Sequence, residues 1–432
     1  MKDSLKPAVA YAILGAVTLG LGLRLQAQQD HNNQDESKVP PYTLPAVLTM
    51  QDGRPVRTVE EWNQKRRPEI LRLYQDNVYG PTPEGLPRGF SFQVVEEDRH
   101  ALNGVAYRKQ VEMRLSDQTN APVMHLLLYT PAGAKGPVPV FLCLHFSGNW
   151  AIVNDPGVRL YEMWDRKTQK RFMPPADTRR GQSKEWDVPV VLSRGYGLAA
   201  VHYGDIEPDF DRGAGSPFGV RALFLKPGQT ERGPDDWGAI GAWAWGLSRA
   251  LDYLLTDKDV NGEKVIAVGQ SRLGKTVLWA GAQDQRFAVV IASCSGEGGA
   301  ALSRRDYGEN LDNMTTTYLY QFCENFGRYH KRWNELPVDA HMLLALLAPR
   351  PVLLNTGSVD QWSDPKGEFL AARAASPVYA LLGKTGLANE ALPPLDTPIL
   401  NDLAFHEHTG RHAILPTDWK VFLDFADKQL KK

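Results

Sequence analysis

Ser271 stands in Gly269-Gln270-Ser271-Arg272-Leu273-Gly274-Lys275, after the apolar run Val265-Ile266-Ala267-Val268 and before Val277-Leu278-Trp279-Ala280, which reads as a helix. A serine at a strand-to-helix turn forms a nucleophile elbow, in which the tight turn lifts the hydroxyl clear of the sheet. The spacing is irregular, because Leu273 holds the usual place of the second glycine and Gly274 follows one position later. Taken alone, a Gly-x-Ser beside a strand is more often a turn or cap than a catalytic centre. Partners lie downstream. Asp360 falls just beyond a strand over Pro351 to Asn355, and His412 lies between a short strand, Leu403 to Glu407, and a final helix, Pro416 to Leu430. A serine, a carboxylate and a histidine so ordered perform acyl transfer: the imidazole takes the hydroxyl proton, and the carboxylate fixes its tautomer and stabilises the imidazolium. His408 is a rival base, and the Gly410-Arg411-His412 context favours His412.

These side chains need a sheet whose carboxyl ends converge. Val138 to His145 is a nearly continuous apolar run, as in a strand buried on both faces, and the turn after it, Phe146-Ser147-Gly148-Asn149, is where an oxyanion-hole amide is expected. Trp237 to Leu255 reads as a helix, the elbow follows, and Phe287 to Ser293 is another buried strand. Helix, strand, serine turn and helix in that order require a doubly wound, mostly parallel sheet, so the expected fold is an α/β-hydrolase, a three-layer α/β/α sandwich. Thr58-Val59-Glu60-Glu61 fits a capping box opening an amphipathic helix, which Gly80-Pro81 stops. Phe90 to Val95, Gly104 to Leu115 and Val123 to Tyr129 read as antiparallel strands, and Val188 to Val201 as another strand. Two insertions, near 155–186 and 207–235, are long enough to be functional rims.

A length of 432 residues, 43% apolar and 23% charged, fits a globular protein of one large domain, here 41–432. A formal net charge of -1 gives no global attraction to nucleic acid or membrane. Residues 1–27 read as a signal peptide, with Lys2 and Lys6 before the apolar run Pro7 to Leu23; an uncleaved anchor is the alternative. A secreted or periplasmic protein is expected, a monomer with no membrane contact after cleavage, and 28–40 reads as a flexible N-terminus. Three cysteines, Cys143, Cys294 and Cys323, allow one bridge and cannot carry a disulfide framework. His408 and His412 have metal-like spacing, but Gly410 lies between them and the segment reads as a loop, so neither a metal nor another cofactor is expected.

The elbow, with Ser295-Gly296-Glu297-Gly298-Gly299, Tyr307-Gly308-Glu309-Asn310, Asp360-Gln361-Trp362 and Gly410-Arg411-His412, resembles the bacterial glucuronoyl esterases of carbohydrate esterase family 15 from about residue 40 onward. The resemblance implies a metal-free serine esterase that cleaves esters between 4-O-methyl-glucuronic acid of glucuronoxylan and lignin alcohols. It implies that Arg272 assists the oxyanion, and that Lys275, Glu309 and Trp362 hold uronate hydroxyls. Each of these three also has an ordinary reading, as a solvated lysine, a loop carboxylate and a core aromatic. Many family members carry the triad acid where Cys294 stands here. A thiol cannot replace a carboxylate, so Asp360, at the position some bacterial members use, is favoured over the nearby Glu297. Two other functions stay open: an acetyl or feruloyl polysaccharide esterase, and a non-catalytic carbohydrate-binding hydrolase homologue.

Overall fold

The computed structural model describes residues 32–179, 184–211, 219–230, 232–388 and 390–430; the signal-peptide reading of 1–27 lies outside them. Strands β1 (Ser91–His100), β2 (Ala106–Arg114) and β3 (Val123–Pro131) form an antiparallel edge. Strands β4 (Val138–His145), β5 (Gly197–His202), β6 (Val260–Gln270), β7 (Val289–Ser293), β8 (Val352–Gly357) and β9 (Leu403–His408) run parallel. All nine make one sheet in the order β1-β2-β3-β5-β4-β6-β7-β8-β9.

Successive side chains of a strand point to opposite faces, so a strand covered on both sides feeds two cores. Val140, Leu142, Val265, Ala267, Val352 and Leu354 pack in one core, with α1 (59–79), α2 (Ala239–Leu254), α3 (Arg272–Gln283), α4 (Ala340–Leu347) and α5 (Pro365–Leu381). Phe141, Cys143, Ile266, Val268 and Leu353 pack in the other, with α6 (Asp418–Leu430) and a short helix, Val188–Ser193. The result is the expected α/β-hydrolase sandwich. Full burial of one such aliphatic or aromatic side chain contributes roughly 1.5–3 kcal/mol, so the two cores hold the sheet rigid beneath the site.

The capping box of α1 is present: Thr58 Oγ1 accepts the Glu61 N–H and the Glu61 carboxylate accepts the Thr58 N–H. At its end Gly80 has φ +80°, and a Cβ there would stand 2.4 Å from Trp237 Cα, so glycine is required.

Two expectations need correction, and one open question closes. The strand over Val188 to Val201 is a helix followed by β5, because the Asp187 carboxylate accepts the Val190 N–H, Pro189 suits the first turn, and Gly195 at φ +79° reverses the chain. Of the expected flexible N-terminus at 28–40, residues 28–31 lie outside the described residues and 32–38 are held in place: Asn32 donates to the Gly308 carbonyl at 2.6 Å and Glu36 pairs with Arg305 at 2.7 Å. The possible cysteine bridge does not form, and Cys143, Cys294 and Cys323 are buried free thiols. Within the insertion at 155–186, strands Met163–Trp164 and Arg171–Phe172 pair as a small hairpin. In the 207–235 insertion, Arg221 pairs with Glu207 at 2.9 Å. Among the described residues no helix is long and apolar enough to cross a membrane.

Candidate active site

Ser271 caps the amino end of α3 directly after β6, with φ 58° and ψ -131°. Such a backbone costs a non-glycine residue about 1–3 kcal/mol and persists only where its surroundings fix it. Its N–H donates to the Ser293 carbonyl at 2.8 Å, tying the elbow to β7. The two glycines explain the irregular spacing. A Cβ on Gly269 would lie 2.2 Å from the Leu273 carbonyl oxygen, and one on Gly274 would lie 2.9 Å from the Ser293 carbonyl oxygen. Gly269 lets helix approach strand, Gly274 lets the helix approach the next strand, and Leu273 between them is a buried core residue.

The other reactive groups stand just past the carboxyl ends of neighbouring parallel strands, where open α/β sheets place their sites. Asp360 follows β8 and His412 follows β9. Their loops are stitched together, with the Ser358 N–H donating to the His408 carbonyl at 2.9 Å and the Val359 N–H to the Gly410 carbonyl at 3.0 Å. His412 Nδ1 lies 2.6 Å from Asp360 Oδ2 and 3.2 Å from Ser363 Oγ. Burial pushes the Asp360 carboxyl up, but the hydrogen bond and charge of His412, helped by Ser363 and Cys294, outweigh it and hold the group below its ordinary value.

Ser271, Arg272, Lys275, Glu309, Asp360, Trp362 and His412, the seven residues singled out in the sequence, line one cavity of about 260 Å3. Lys275 Nζ donates to Glu309 Oε2 at 2.8 Å, and the Glu309 N–H donates to the Trp362 carbonyl at 2.6 Å, so the three expected uronate-binding residues are neighbours. Lys275 is only 4% exposed, which excludes its reading as a solvated helix lysine.

Arg272 extends from the elbow to Asp209, with its guanidinium over the Phe146 ring at 5.8 Å. Burial disfavours the charged form, yet Asp209 and the surrounding tyrosines hold the guanidinium still more firmly protonated than usual. Asp209 also accepts from Tyr320 at 2.6 Å and Tyr203 at 3.0 Å, and pairs with Arg166 at 3.3 Å. Arg166 comes from one insertion and Asp209 from the other, so both insertions meet at the Arg272 side of the cavity. Sequence reasoning missed Asp209 and the two tyrosines; the long polar loop was the available signal, but it pointed to no residue within it.

The rivals are placed elsewhere. Glu297 is buried against Ser303, whose hydroxyl donates to it at 2.6 Å, and it lines a separate cavity beside Tyr74 and Tyr79. Burial, with the nearby Asp339 and Glu309 charges, pushes its carboxyl up to about 8. His408 directs Nδ1 to Asp418 at 3.1 Å and Nε2 to the Arg411 carbonyl at 3.1 Å, so it is engaged away from Ser271 and does not converge with His412 on a metal position. His145 is paired to Asn149 at 2.9 Å, and burial pushes it down to about 3. Cys294 lines the cavity with its sulfur, an Asp360 oxygen and a His412 nitrogen within 4.8 Å of one another. Burial and the Asp360 charge push its thiol well up, so it stays neutral.

Residues 232–383 match the family model described as glucuronyl esterase, fungi. A carbohydrate esterase of an unknown prokaryotic organism is 43% identical over 94% of this chain and 93% of its own. The chain belongs to carbohydrate esterase family 15. Members of the family are carboxylic ester hydrolases, and the likeness covers more than nine tenths of the chain. The glucuronoyl esterase from Solibacter usitatus superposes with a TM-score of 0.88 at 48% identity, over 91% of this chain and 100% of that one. A family 15 esterase from a marine bacterial metagenome, described as promiscuous, gives 0.85 at 42% identity, over 92% and 100%.

Proposed function

We propose that this protein hydrolyses esters between (4-O-methyl-)glucuronic acid of glucuronoxylan and lignin alcohols, with Ser271, His412 and Asp360 as its triad. The observation that carries the reading is the His412–Asp360 pair at 2.6 Å beside Ser271 in a cavity that also holds the Lys275–Glu309 pair. With Nδ1–H donated to Asp360, His412 Nε2 is left as the acceptor for the Ser271 proton. Ser271 Oγ then attacks the uronate carbonyl carbon. Negative charge develops on the carbonyl oxygen, where the N–H of Arg272, in the first turn of α3, and its guanidinium act as donors. One preformed donor of this kind is commonly worth about 2.7–4 kcal/mol in the transition state. The protonated imidazole gives its proton to the departing alcohol oxygen, and water, activated by the same imidazole, releases the uronate from the acyl-enzyme. Lys275, Glu309 and Trp362 hold the sugar ring, which places the ester carbon over Ser271. Export through the N-terminal segment would bring the enzyme to its polymeric substrate.

Hydrolysis of benzyl glucuronate by the wild type, Ser271→Ala and Asp360→Asn tests this reading. Activity that vanishes in Ser271→Ala and falls by orders of magnitude in Asp360→Asn supports it. A wild type that ignores glucuronate esters while hydrolysing acetyl esters replaces it with the acetyl esterase reading, which the promiscuity stated for the 42%-identical relative makes worth running in parallel.

A further inference from the structure

The segment 32–38 crosses about 270 residues of sequence to reach the loop of Glu309, and about 330 to reach Lys366, just past the loop of Trp362. It clamps Gly308 from both sides: the Gly308 N–H donates to the Asn33 carbonyl at 2.7 Å, and Asn32 Nδ2 donates to the Gly308 carbonyl at 2.6 Å. Gly308 has φ +62°, and a Cβ there would lie 2.3 Å from the Gln361 carbonyl oxygen, so at this point the loop after β7 lies directly on the loop after β8. Tyr307 bridges the same junction, its hydroxyl reaching the Gln34 carbonyl at 3.0 Å and Gln361 Oε1 at 2.5 Å. Glu36 completes the clamp. One oxygen accepts from Arg305 of the first loop at 2.7 Å and the other from Lys366, at the start of α5, at 2.6 Å, while Arg305 also holds Asp364 at 2.7 Å. The next residue after Gly308 is Glu309, and the second loop carries Trp362.

We infer that residues 32–38 are a positioning strap for the uronate subsite, with Glu36 its principal anchor: they fix the loop of Glu309 against the loop of Trp362 and leave the Ser271 elbow untouched. The strap rests on the functional reading above for what the subsite binds, but not for what it positions. Two loops held by backbone clamping and a shared carboxylate present their side chains preorganised, so the binding step does not have to order them. Nothing in 32–38 contacts Ser271, His412 or Arg272 among the described contacts, so the elbow is held without it, and Asp360 is reached only at second hand, through Tyr307–Gln361 and Arg305–Asp364.

Glu36→Gln and a mature chain that begins at Val39 are compared with wild type on benzyl glucuronate and on p-nitrophenyl acetate, which needs the elbow but no sugar subsite. The expected result for the shortened chain is a KM for the glucuronate ester raised about tenfold with kcat changed far less, Glu36→Gln lying between it and wild type, and acetate hydrolysis reduced far less than glucuronate hydrolysis. Equal losses on both esters, or no loss on either, overturn the strap. Hydrogen exchange provides a reading independent of substrate: amides of 306–310 and 360–364 should exchange faster in the shortened chain, with those of α3 unchanged. If the wild type fails to hydrolyse the glucuronate ester, the functional reading falls alone. Exchange then decides the strap, unchanged protection at 306–310 overturning it.

Discussion

Cys294 sits in left-handed backbone, φ 47°, at the carboxyl end of β7, with its sulfur within 4.8 Å of both the Asp360 carboxylate and the His412 ring. Two strand ends thus converge on one imidazole. Only Asp360 pairs with it as an anion here, because a neutral thiol offers His412 no charge. An amide in place of Asp360 keeps the shape but loses the anion and favours the wrong tautomer, a change that costs about 10⁴ in kcat in the serine-protease triad. Asp360→Asn should fall by a comparable factor. Adding Cys294→Glu to that variant should recover kcat by roughly tenfold or more, since the new carboxylate acts on the same ring. Steady-state turnover of benzyl glucuronate by the two variants measures this; a double variant no faster than Asp360→Asn would mean that β7 is not an equivalent origin for the acid. Arg272 shows the limit of reading at this scale. Its place beside Ser271 marked it in the sequence, whereas Asp209, 63 positions away, is joined to it only by the fold.

At the scale of elements, the elbow works because two close approaches occur within six residues. A methyl group on Gly274 would press on the Ser293 carbonyl at 2.9 Å and the Ser295 Cβ at 3.1 Å, both on the rigid side of the site. Gly274→Ala must therefore push α3 away from β7, with an overpacking cost of about 1–3 kcal/mol, and the displacement moves Ser271 relative to His412. Its denaturation midpoint in urea should drop and its kcat should fall more than its KM rises; unchanged values of both would show that α3 has room the structure does not display. The parts of this architecture legible in advance were those with a period or a cap: the apolar run of β4, the Thr58 capping box and the Ser271 turn. Val188 to Val201 was not, because a six-residue helix rich in valine carries the same apolar signal as a strand, and only Asp187 and Gly195 divide it. Helix α5 was not anticipated at all: it begins at Pro365, contains Pro377, and its start is fixed by Asp364, whose carboxylate accepts the Gly367 N–H. The strap of 32–38 is polar throughout, and a polar segment reads as solvated until a distant partner is known.

For the whole molecule, stability and pH are linked through carboxyls that the fold keeps neutral. Glu297 and Glu368 lie buried beneath the site, and burial is the main cause pushing each up to about 8, against an ordinary value of 4.5. Between those values the folded chain retains two protons that the unfolded chain releases, so unfolding is favoured progressively as pH rises through that window. The contribution of these groups is therefore complete below about pH 4.5 and is lost as pH passes 8. His145 acts in the opposite sense: burial pushes it down to about 3, so below its ordinary 6.5 the unfolded chain binds a proton that the folded chain refuses, and stability declines as pH falls. Between about pH 4.5 and 6.5 the two glutamates outweigh the single histidine, so these three groups together place the optimum near pH 4.5. Glu297→Gln retains the shape and an acceptor for the Ser303 hydroxyl but cannot ionise, so its thermal midpoint should fall less than that of the wild type between about pH 5.5 and about pH 8.5. At the acidic end the two proteins should differ little, since both then carry a neutral group at this position. Parallel curves for wild type and variant across the whole range would show that Glu297 is already ionised in the fold, with Lys275 as the nearby charge able to hold it so.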